Sequence, residues 1–185
     1  YAKSFDDPAR DEWQMPDRVI DTLALAPGQV VADIGAGTGY FTVRLAKAAA
    51  RPKVYAVDIE KSMVEYVQQR AAKEGLKNVF AVQSKADGAS LPEPVDVVLI
   101  VDTYHHLEHR PAYFRNLQRD LAPGGRVAVI DFDGRKGWFV RWTGHITPRE
   151  LLLREMTEAG YEVAQEFDFI DRQAFVIFRP VGGPP

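Results

Sequence analysis

Short apolar runs alternate along the chain with segments whose apolar residues recur every three or four positions. The runs have the length of buried strands, and the segments have the spacing of amphipathic helices. The predicted strands begin at Val30 and, further on, span Lys53–Val57, Asn78–Gln83, Val95–Val101 and Arg126–Ile130. The predicted helices span Asp17–Leu25, Tyr40–Ala49, Glu60–Glu74 and Pro111–Leu121, and a last one runs from Thr147 to Gly160. Strands that alternate with helices predict an α/β fold with a parallel, doubly wound sheet.

The pattern changes after the last helix. That helix has a clear start, because Thr147 can cap it, Pro148 suits the first helical position and Glu150 can complete a capping box. Two strands, Tyr161–Ile170 and Gln173–Arg179, then follow each other without a helix between them. The seven-stranded sheet is therefore expected to end in an antiparallel hairpin.

Length and polarity predict how the chain divides. The 185 residues have the size of one domain, and 46% of them are hydrophobic, which is enough for a full core. Residues 1–16 are polar and turn-rich and are expected to form an N-terminal arm. Residues 17–180 are expected to form the single domain, and residues 181–185 a flexible tail.

The stretch Val30–Phe41 carries the strongest functional signal. An apolar run leads through Asp33 to three glycines, Gly35, Gly37 and Gly39, and helical residues then resume. Glycine permits a tight turn and lets a ligand approach the main chain closely. The N-terminus of the following helix presents free N–H groups and a positive dipole end. We therefore expect a nucleotide-like cofactor at this turn.

Charge and composition limit the other functions. A net charge of −3 argues against general nucleic-acid binding, which needs a concentrated positive surface. The absence of cysteine excludes disulfides, cysteine zinc sites and thiol nucleophiles. No apolar run reaches the length of a membrane span and no signal segment is visible, so we expect a cytoplasmic protein. The chain begins at Tyr1 rather than at methionine, which leaves removal of an N-terminal segment open.

Several motifs in order resemble the class I S-adenosylmethionine-dependent methyltransferases. Asp33–Gly39 is similar to the first motif of that superfamily, and Asp58 to its ribose-binding acid. Ala86-Asp87-Gly88 resembles the loop whose acid meets the adenine amino group. Tyr104–Leu107 resembles the histidine-containing stretch after the fourth strand, and Leu121–Arg126 the turn before the fifth. The resemblance covers roughly residues 17–179 and implies a Rossmann-like three-layer sandwich, mostly parallel and seven-stranded, with an antiparallel C-terminal hairpin.

The resemblance also implies a cofactor and the residues that bind it. The expected cofactor is S-adenosylmethionine, with S-adenosylhomocysteine as its product, and the reaction is methyl transfer to a small-molecule acceptor. The expected cofactor-binding residues are Asp33, Gly35, Ala36, Gly37, Gly39, Tyr40, Asp58, Ile59, Met63, Ala86, Asp87, Gly88 and Asp102.

Other interpretations of these motifs remain open. A glycine turn followed by an acid also occurs in NAD-binding folds, but their fingerprint leaves two residues between its last two glycines, whereas only Thr38 separates Gly37 from Gly39. Asp58 also suits a cap of the following helix, and Asp87 also suits a solvated position in a polar loop. Tyr40 suits a wall of the pocket or the core. An RNA methyltransferase and a non-catalytic cofactor-binding partner subunit remain alternatives to a small-molecule enzyme.

Histidines are the candidates for the base that methyl transfer to a protonated acceptor requires. His105 and His106 follow the carboxyl end of the central strand, where ligands bind in such sheets, and His145 lies in the later loop. A metal site is an alternative for this region, because His109 lies close by and Asp102, Asp131 and Asp133 follow strand ends. The histidine spacing does not match a structural zinc site. We predict no metal.

The segment Asp131–Arg149 is the expected source of acceptor choice. It combines basic and aromatic side chains: Arg135, Lys136, Trp138, Phe139, Arg141, Trp142 and His145. Such a set suits a flat or anionic acceptor, but also a nucleobase, a lipid surface or an exposed lid. The oligomeric state is left open.

Overall fold

The apolar runs build one seven-stranded sheet in a computed structural model, which describes residues 8–135 and 145–182. The strands are β1 (Val30–Ile34), β2 (Lys53–Asp58), β3 (Val79–Gln83), β4 (Val95–Val101), β5 (Leu121–Phe132), β6 (Tyr161–Phe167) and β7 (Gln173–Pro180). Their order in the sheet is β3-β2-β1-β4-β5-β7-β6. Neighbours from β3 to β5 are parallel, and β7 is antiparallel to both β5 and β6. The predicted parallel sheet with an antiparallel C-terminal hairpin is confirmed.

Helices cover both faces of the sheet. They are α1 (Pro8–Gln14), α2 (Pro16–Thr22), α3 (Tyr40–Lys47), α4 (Lys61–Lys73), α5 (Arg110–Leu117) and α6 (Arg149–Glu158). Helices α2 and α3 bury their apolar sides against one face of the sheet, and α5 and α6 bury theirs against the other. Burial of these two apolar layers is the main force that holds the three-layer arrangement together.

The central strands are buried on both faces. All but one of the seven residues of β4 are buried, and β1 is buried over its last four residues. Both strands pair in register with each other, from Val31 opposite Val97 to Ile34 opposite Ile100. A strand covered on both faces has no polar side, which is why Val95–Val101 reads as an almost continuous apolar run, broken only by the half-buried Asp96.

Three local predictions differ from the structure. The region expected to be an arm contains helix α1, whose residue Gln14 is fully buried. The expected turn at Pro123-Gly124-Gly125 lies within β5, where the register with β4 jumps from Leu121 to Arg126 and the intervening residues bulge. Helix α6 begins at Arg149 with no side-chain cap, because the hydroxyl of Thr147 donates to Asp131 instead, at 3.0 Å.

Within the two described ranges, no helix combines the length and the apolar composition needed to cross a membrane.

Candidate functional site

The glycine turn connects the end of β1 to the start of α3. Gly35, Gly37 and Gly39 adopt φ values of 77°, 53° and 83°, in the left-handed region that favours glycine. A Cβ at Gly35 would lie 2.2 Å from Oγ1 of Thr103, which follows β4. The backbone of the turn therefore lies directly against the chain that leaves the neighbouring strand, and residue 35 has to be glycine.

Asp58, at the end of β2, holds the turn from the side. Its Oδ2 accepts a hydrogen bond from the N–H of Gly37 at 2.8 Å, and its Oδ1 accepts one from the N–H of Glu60 at 2.9 Å. The second bond satisfies a free N–H at the start of α4, as the helix-capping interpretation expected. Each carboxylate oxygen still has a lone pair to accept from a ligand hydroxyl.

Asp33 lies below the turn and is buried. Its Oδ2 accepts a hydrogen bond from Thr42 Oγ1 at 2.6 Å. Burial, helped by the nearby charge of Asp58, raises the pKa of Asp33 to about 6 against the lowering effect of the Thr42 hydrogen bond. A positively charged group bound beside this carboxyl would favour its ionised form.

A cavity of about 820 Å³ opens at the carboxyl ends of β1, β2 and β4, which is where parallel sheets of this type bind ligands. Its volume falls within the range of ligand sites, roughly 300 to 1,000 Å³. The structure brings together around it most of the residues expected to bind the cofactor: Asp33, Gly35, Ala36, Gly37, Tyr40, Asp58, Ile59, Met63, Ala86 and Asp102.

Three expected cofactor residues do not line this cavity. Gly39 caps α3, and a Cβ there would lie 3.3 Å from Val67 in helix α4. Asp87 is exposed, and Gly88 exchanges backbone hydrogen bonds with Lys85. The cavity wall near this loop is made instead by Ser84, Lys85 and Ala86.

Helix α1 contributes Arg10 to the cavity wall, a residue that the sequence did not single out. Arg10 lines the cavity, lies 4.2 Å from the Tyr40 ring centre and donates to Asp102 Oδ2 at 2.9 Å. Gln14 donates to the same oxygen at 3.2 Å, and Gln173 donates to Oδ1. Burial raises the pKa of Asp102, while Arg10 lowers it. Asp102 therefore borders the cavity, as expected, while both of its oxygens bond to neighbouring side chains.

Other lining residues that the sequence did not single out include Thr38, Thr103, Leu107 and Tyr113. Tyr113 belongs to the apolar face of α5, and Leu107 directly follows a short 3₁₀ turn. In the sequence, neither residue can be told from an ordinary core residue.

The three candidate histidines lie together. His105 and His106 form the 3₁₀ turn after β4, and their ring centres are 4.0 Å apart. The ring of His145 lies 5.2 Å from that of His105 and 5.1 Å from that of His106. His106 lines the cavity, and its pKa is lowered by partial desolvation of the ring and by the two neighbouring imidazoles. His109 lies at the start of α5 and is not part of this group.

His105 is fixed by the buried carboxyl of Asp131 at the end of β5. Asp131 Oδ1 lies 2.7 Å from His105 Nδ1, and its Oδ2 accepts from the backbone N–H of His105 at 2.9 Å. Oδ2 also accepts from Thr147 Oγ1 at 3.0 Å. Since a carboxylate only accepts, Nδ1 carries a proton, and in the neutral imidazole Nε2 then presents a lone pair.

Part of the expected acceptor segment lies outside the described residues. Lys136, Trp138, Phe139, Arg141 and Trp142 fall in residues 136–144.

Comparison with known proteins identifies the type of domain. A family model described as a methyltransferase domain matches residues 25–170. A solved SAM-dependent methyltransferase from Aquifex aeolicus is 28% identical and superposes with a TM-score of 0.86, covering 97% of each chain.

Two curated relatives show similar levels of identity over shorter ranges. The ubiquinone/menaquinone biosynthesis C-methyltransferase UbiE of Shewanella frigidimarina is 30% identical over 125 residues, which are 66% of this chain and 50% of that protein. The 27-O-demethylrifamycin SV methyltransferase of Amycolatopsis mediterranei is 34% identical over 122 residues, which are 64% of this chain and 44% of that protein. The chain thus spans about half of the length of these relatives.

Proposed function

The chain belongs to the class I S-adenosylmethionine-dependent methyltransferases, and from this membership we propose that it transfers the methyl group of S-adenosylmethionine to a small-molecule acceptor. The observation that carries the proposal is that the glycine turn, Asp58 and His106 all line the same cavity. Relatives whose names give ubiquinone, menaquinone or a rifamycin as their products or substrates support an acceptor of small-molecule size.

The cavity residues fit the cofactor. Its ribose hydroxyls would donate to the free lone pairs of Asp58, and the narrow glycine turn would admit its methionine portion close to the main chain. Ile59 is 52% exposed at the cavity edge and offers an apolar surface for a flat base. The acidic side chains of Asp33 and Asp58 favour a cofactor that carries positive charge.

For the adenine end of the cofactor, residues 84–86 are better placed than the expected acid, Asp87. Ser84, Lys85 and Ala86 line the cavity, whereas Asp87 is exposed and does not. We propose that this segment, rather than Asp87, meets the adenine.

At the acceptor end, His106 is the best-supported base among the three candidate histidines. It lines the cavity, and its lowered pKa leaves the imidazole neutral at neutral pH, ready to accept a proton. When bound, the cofactor supplies a methyl group on a positively charged sulfur, which leaves as a neutral thioether. The chain then has to align the acceptor with that methyl group, exclude water and accept the acceptor's proton.

Calorimetric titration with S-adenosylmethionine, S-adenosylhomocysteine and NAD tests the cofactor. We expect the first two to bind and NAD not to bind; binding of NAD alone would overturn the proposal. Asp58→Ala should weaken cofactor binding by about 1 to 3 kcal/mol because polar partners lose their acceptor. Asp87→Ala and the control Asp21→Ala, an exposed acid on α2 outside the cavity lining, should leave affinity unchanged.

An acceptor screen with labelled methyl groups tests turnover. Transfer to small molecules related to quinones or rifamycins is expected, and His106→Ala should slow it at saturating cofactor while His109→Ala does not. Transfer to RNA alone would favour the RNA methyltransferase. Cofactor binding without turnover on any acceptor would favour a non-catalytic partner subunit.

A further inference from the structure

Three imidazoles converge at the edge of the cavity. One ring nitrogen from each of His105, His106 and His145 lies within 4.8 Å of the others. His145 belongs to the segment after β5, so its approach to the first two depends on the fold and not on sequence spacing. The side chains of His106 and His145 are exposed, and that of His105 is 6% exposed.

The least exposed of the three is already arranged as a ligand. The bond from His105 Nδ1 to Asp131 directs the Nε2 lone pair away from the carboxylate. Asp131 is itself 0% exposed and is held by the hydroxyl of Thr147 and the backbone N–H of Phe132. A carboxylate that holds the far nitrogen of a histidine is the usual support of a metal-binding imidazole, since it fixes the tautomer and raises the basicity of the ligand.

We propose that His105, His106 and His145 bind a divalent transition-metal ion, with Asp131 as the positioning residue, and that Zn²⁺ is the ion that fits best. Three neutral imidazoles suit Zn²⁺ and do not suit Mg²⁺ or Ca²⁺, which take oxygen ligands. Three protein ligands also leave a fourth tetrahedral position open, as in catalytic zinc sites.

The geometry needs only a small adjustment. Tetrahedral zinc with nitrogen ligands places the ligand atoms roughly 3.3 Å apart, compared with separations of up to 4.8 Å in the structure. His106 and His145 are exposed, so rotation about their side-chain bonds can close that gap while Asp131 holds His105 in place. Because His106 lines the cavity, the bound ion would lie at the cavity edge.

This site does not depend on the proposed methyl transfer. A nitrogen that binds the ion no longer accepts a proton, so His106 serves as a base only in the metal-free protein. Metal binding is measured without cofactor or acceptor, and failure of one proposal is therefore distinguishable from failure of the other.

The test is equilibrium dialysis of chelator-stripped full chain against ZnCl₂, with bound metal determined by elemental analysis. We expect one Zn²⁺ per chain and no binding of Mg²⁺ under the same conditions. His106→Ala and His145→Ala should each weaken Zn²⁺ binding by more than about tenfold. His109→Ala is the matched control, since His109 lies nearby but outside the group, and it should bind Zn²⁺ like the unaltered protein.

Asp131→Asn tests the positioning residue. It should weaken Zn²⁺ binding by about 10- to 100-fold, because the amide no longer fixes the tautomer of His105. Replacement of zinc by Co²⁺ should give the intense visible absorption of a tetrahedral site, and this absorption should be lost in His145→Ala. Zn²⁺ binding weaker than about 1 mM, or an equal loss in His109→Ala and His145→Ala, would overturn the proposal.

Discussion

Asp33→Asn should change how the stability of the protein depends on pH. Asp33 is 3% exposed, and burial is the main cause that raises its pKa from 3.8 to about 6. The folded protein therefore holds this proton more tightly than the unfolded chain. The protonated Asp33 carboxyl therefore stabilises the folded protein, fully below pH 3.8, and this contribution to the free energy of unfolding is lost as the pH rises through about 6.

The size of the effect follows from the two pKa values. The difference between 3.8 and about 6, at about 1.4 kcal/mol per pH unit, corresponds to about 3 kcal/mol. Asparagine has nearly the same shape and carries no charge at any pH. The free energy of unfolding of Asp33→Asn, relative to that of the unaltered protein, should therefore rise by about 2 to 3 kcal/mol between about pH 4 and about pH 7.

Urea unfolding followed by circular dichroism at several pH values measures this difference. Asp17→Asn is the control, because Asp17 is exposed on α2, and its profile should run parallel to that of the unaltered protein. Thr42→Val removes the hydrogen bond that holds the Asp33 pKa down, so it should move the loss of stability to higher pH. Parallel profiles for Asp33→Asn and the unaltered protein would refute the reasoning, since burial would then have no effect on this carboxyl.

Two further predictions concern packing around the site. Gly28→Ala and Gly35→Ala both place a methyl group at positive φ, 87° and 77°, but only at Gly35 would it collide, 2.2 Å from Thr103 Oγ1. Thermal and urea unfolding should show a loss of about 1 kcal/mol for Gly28→Ala and of more than about 3 kcal/mol for Gly35→Ala; equal losses would contradict the collision. Glu155 accepts a hydrogen bond from Arg110 Nε at 2.7 Å. Burial acts to raise the pKa of Glu155, but the bond to Arg110 helps to hold that pKa below its usual value. Glu155→Gln should cost about 2 kcal/mol at neutral pH, and the loss should shrink in acid as the unaltered carboxyl takes up a proton; a loss independent of pH would contradict the ion pair.

The sheet and the cofactor side of the cavity were predictable because both follow from local patterns. Each buried strand is an apolar run, and a parallel sheet brings the carboxyl ends of its strands to one edge. Once β1, β2 and β4 were located, the glycine turn, Asp58 and the 3₁₀ turn after β4 had to meet there. The described residues place all three around one cavity.

The opposite wall of the cavity was not predictable, because its contacts join distant residues with no pattern between them. Arg10 and Asp102 are 92 positions apart, and Gln173 reaches the same carboxylate from β7. The sequence allows the hydroxyl of Thr147 either to cap α6 or to donate to a side chain elsewhere in the fold. Its bond to Asp131 is visible only in the folded structure. Sequence spacing likewise grouped His109 with His105 and His106, whereas the fold brings His145 to them.

The position of β7 has a consequence for how the chain folds during synthesis. β7 comes last of the seven strands in the chain, yet it lies between β5 and β6 and pairs with both, for example Val127 with Phe178 and Tyr161 with Pro180. Until residues 173–180 leave the ribosome, β5 and β6 have no strand to join them and each presents an unpaired edge. Unpaired edges are where chains associate with one another. A chain cut before Gln173 would therefore keep these unpaired edges and should associate with other chains more readily than the chain that contains β7.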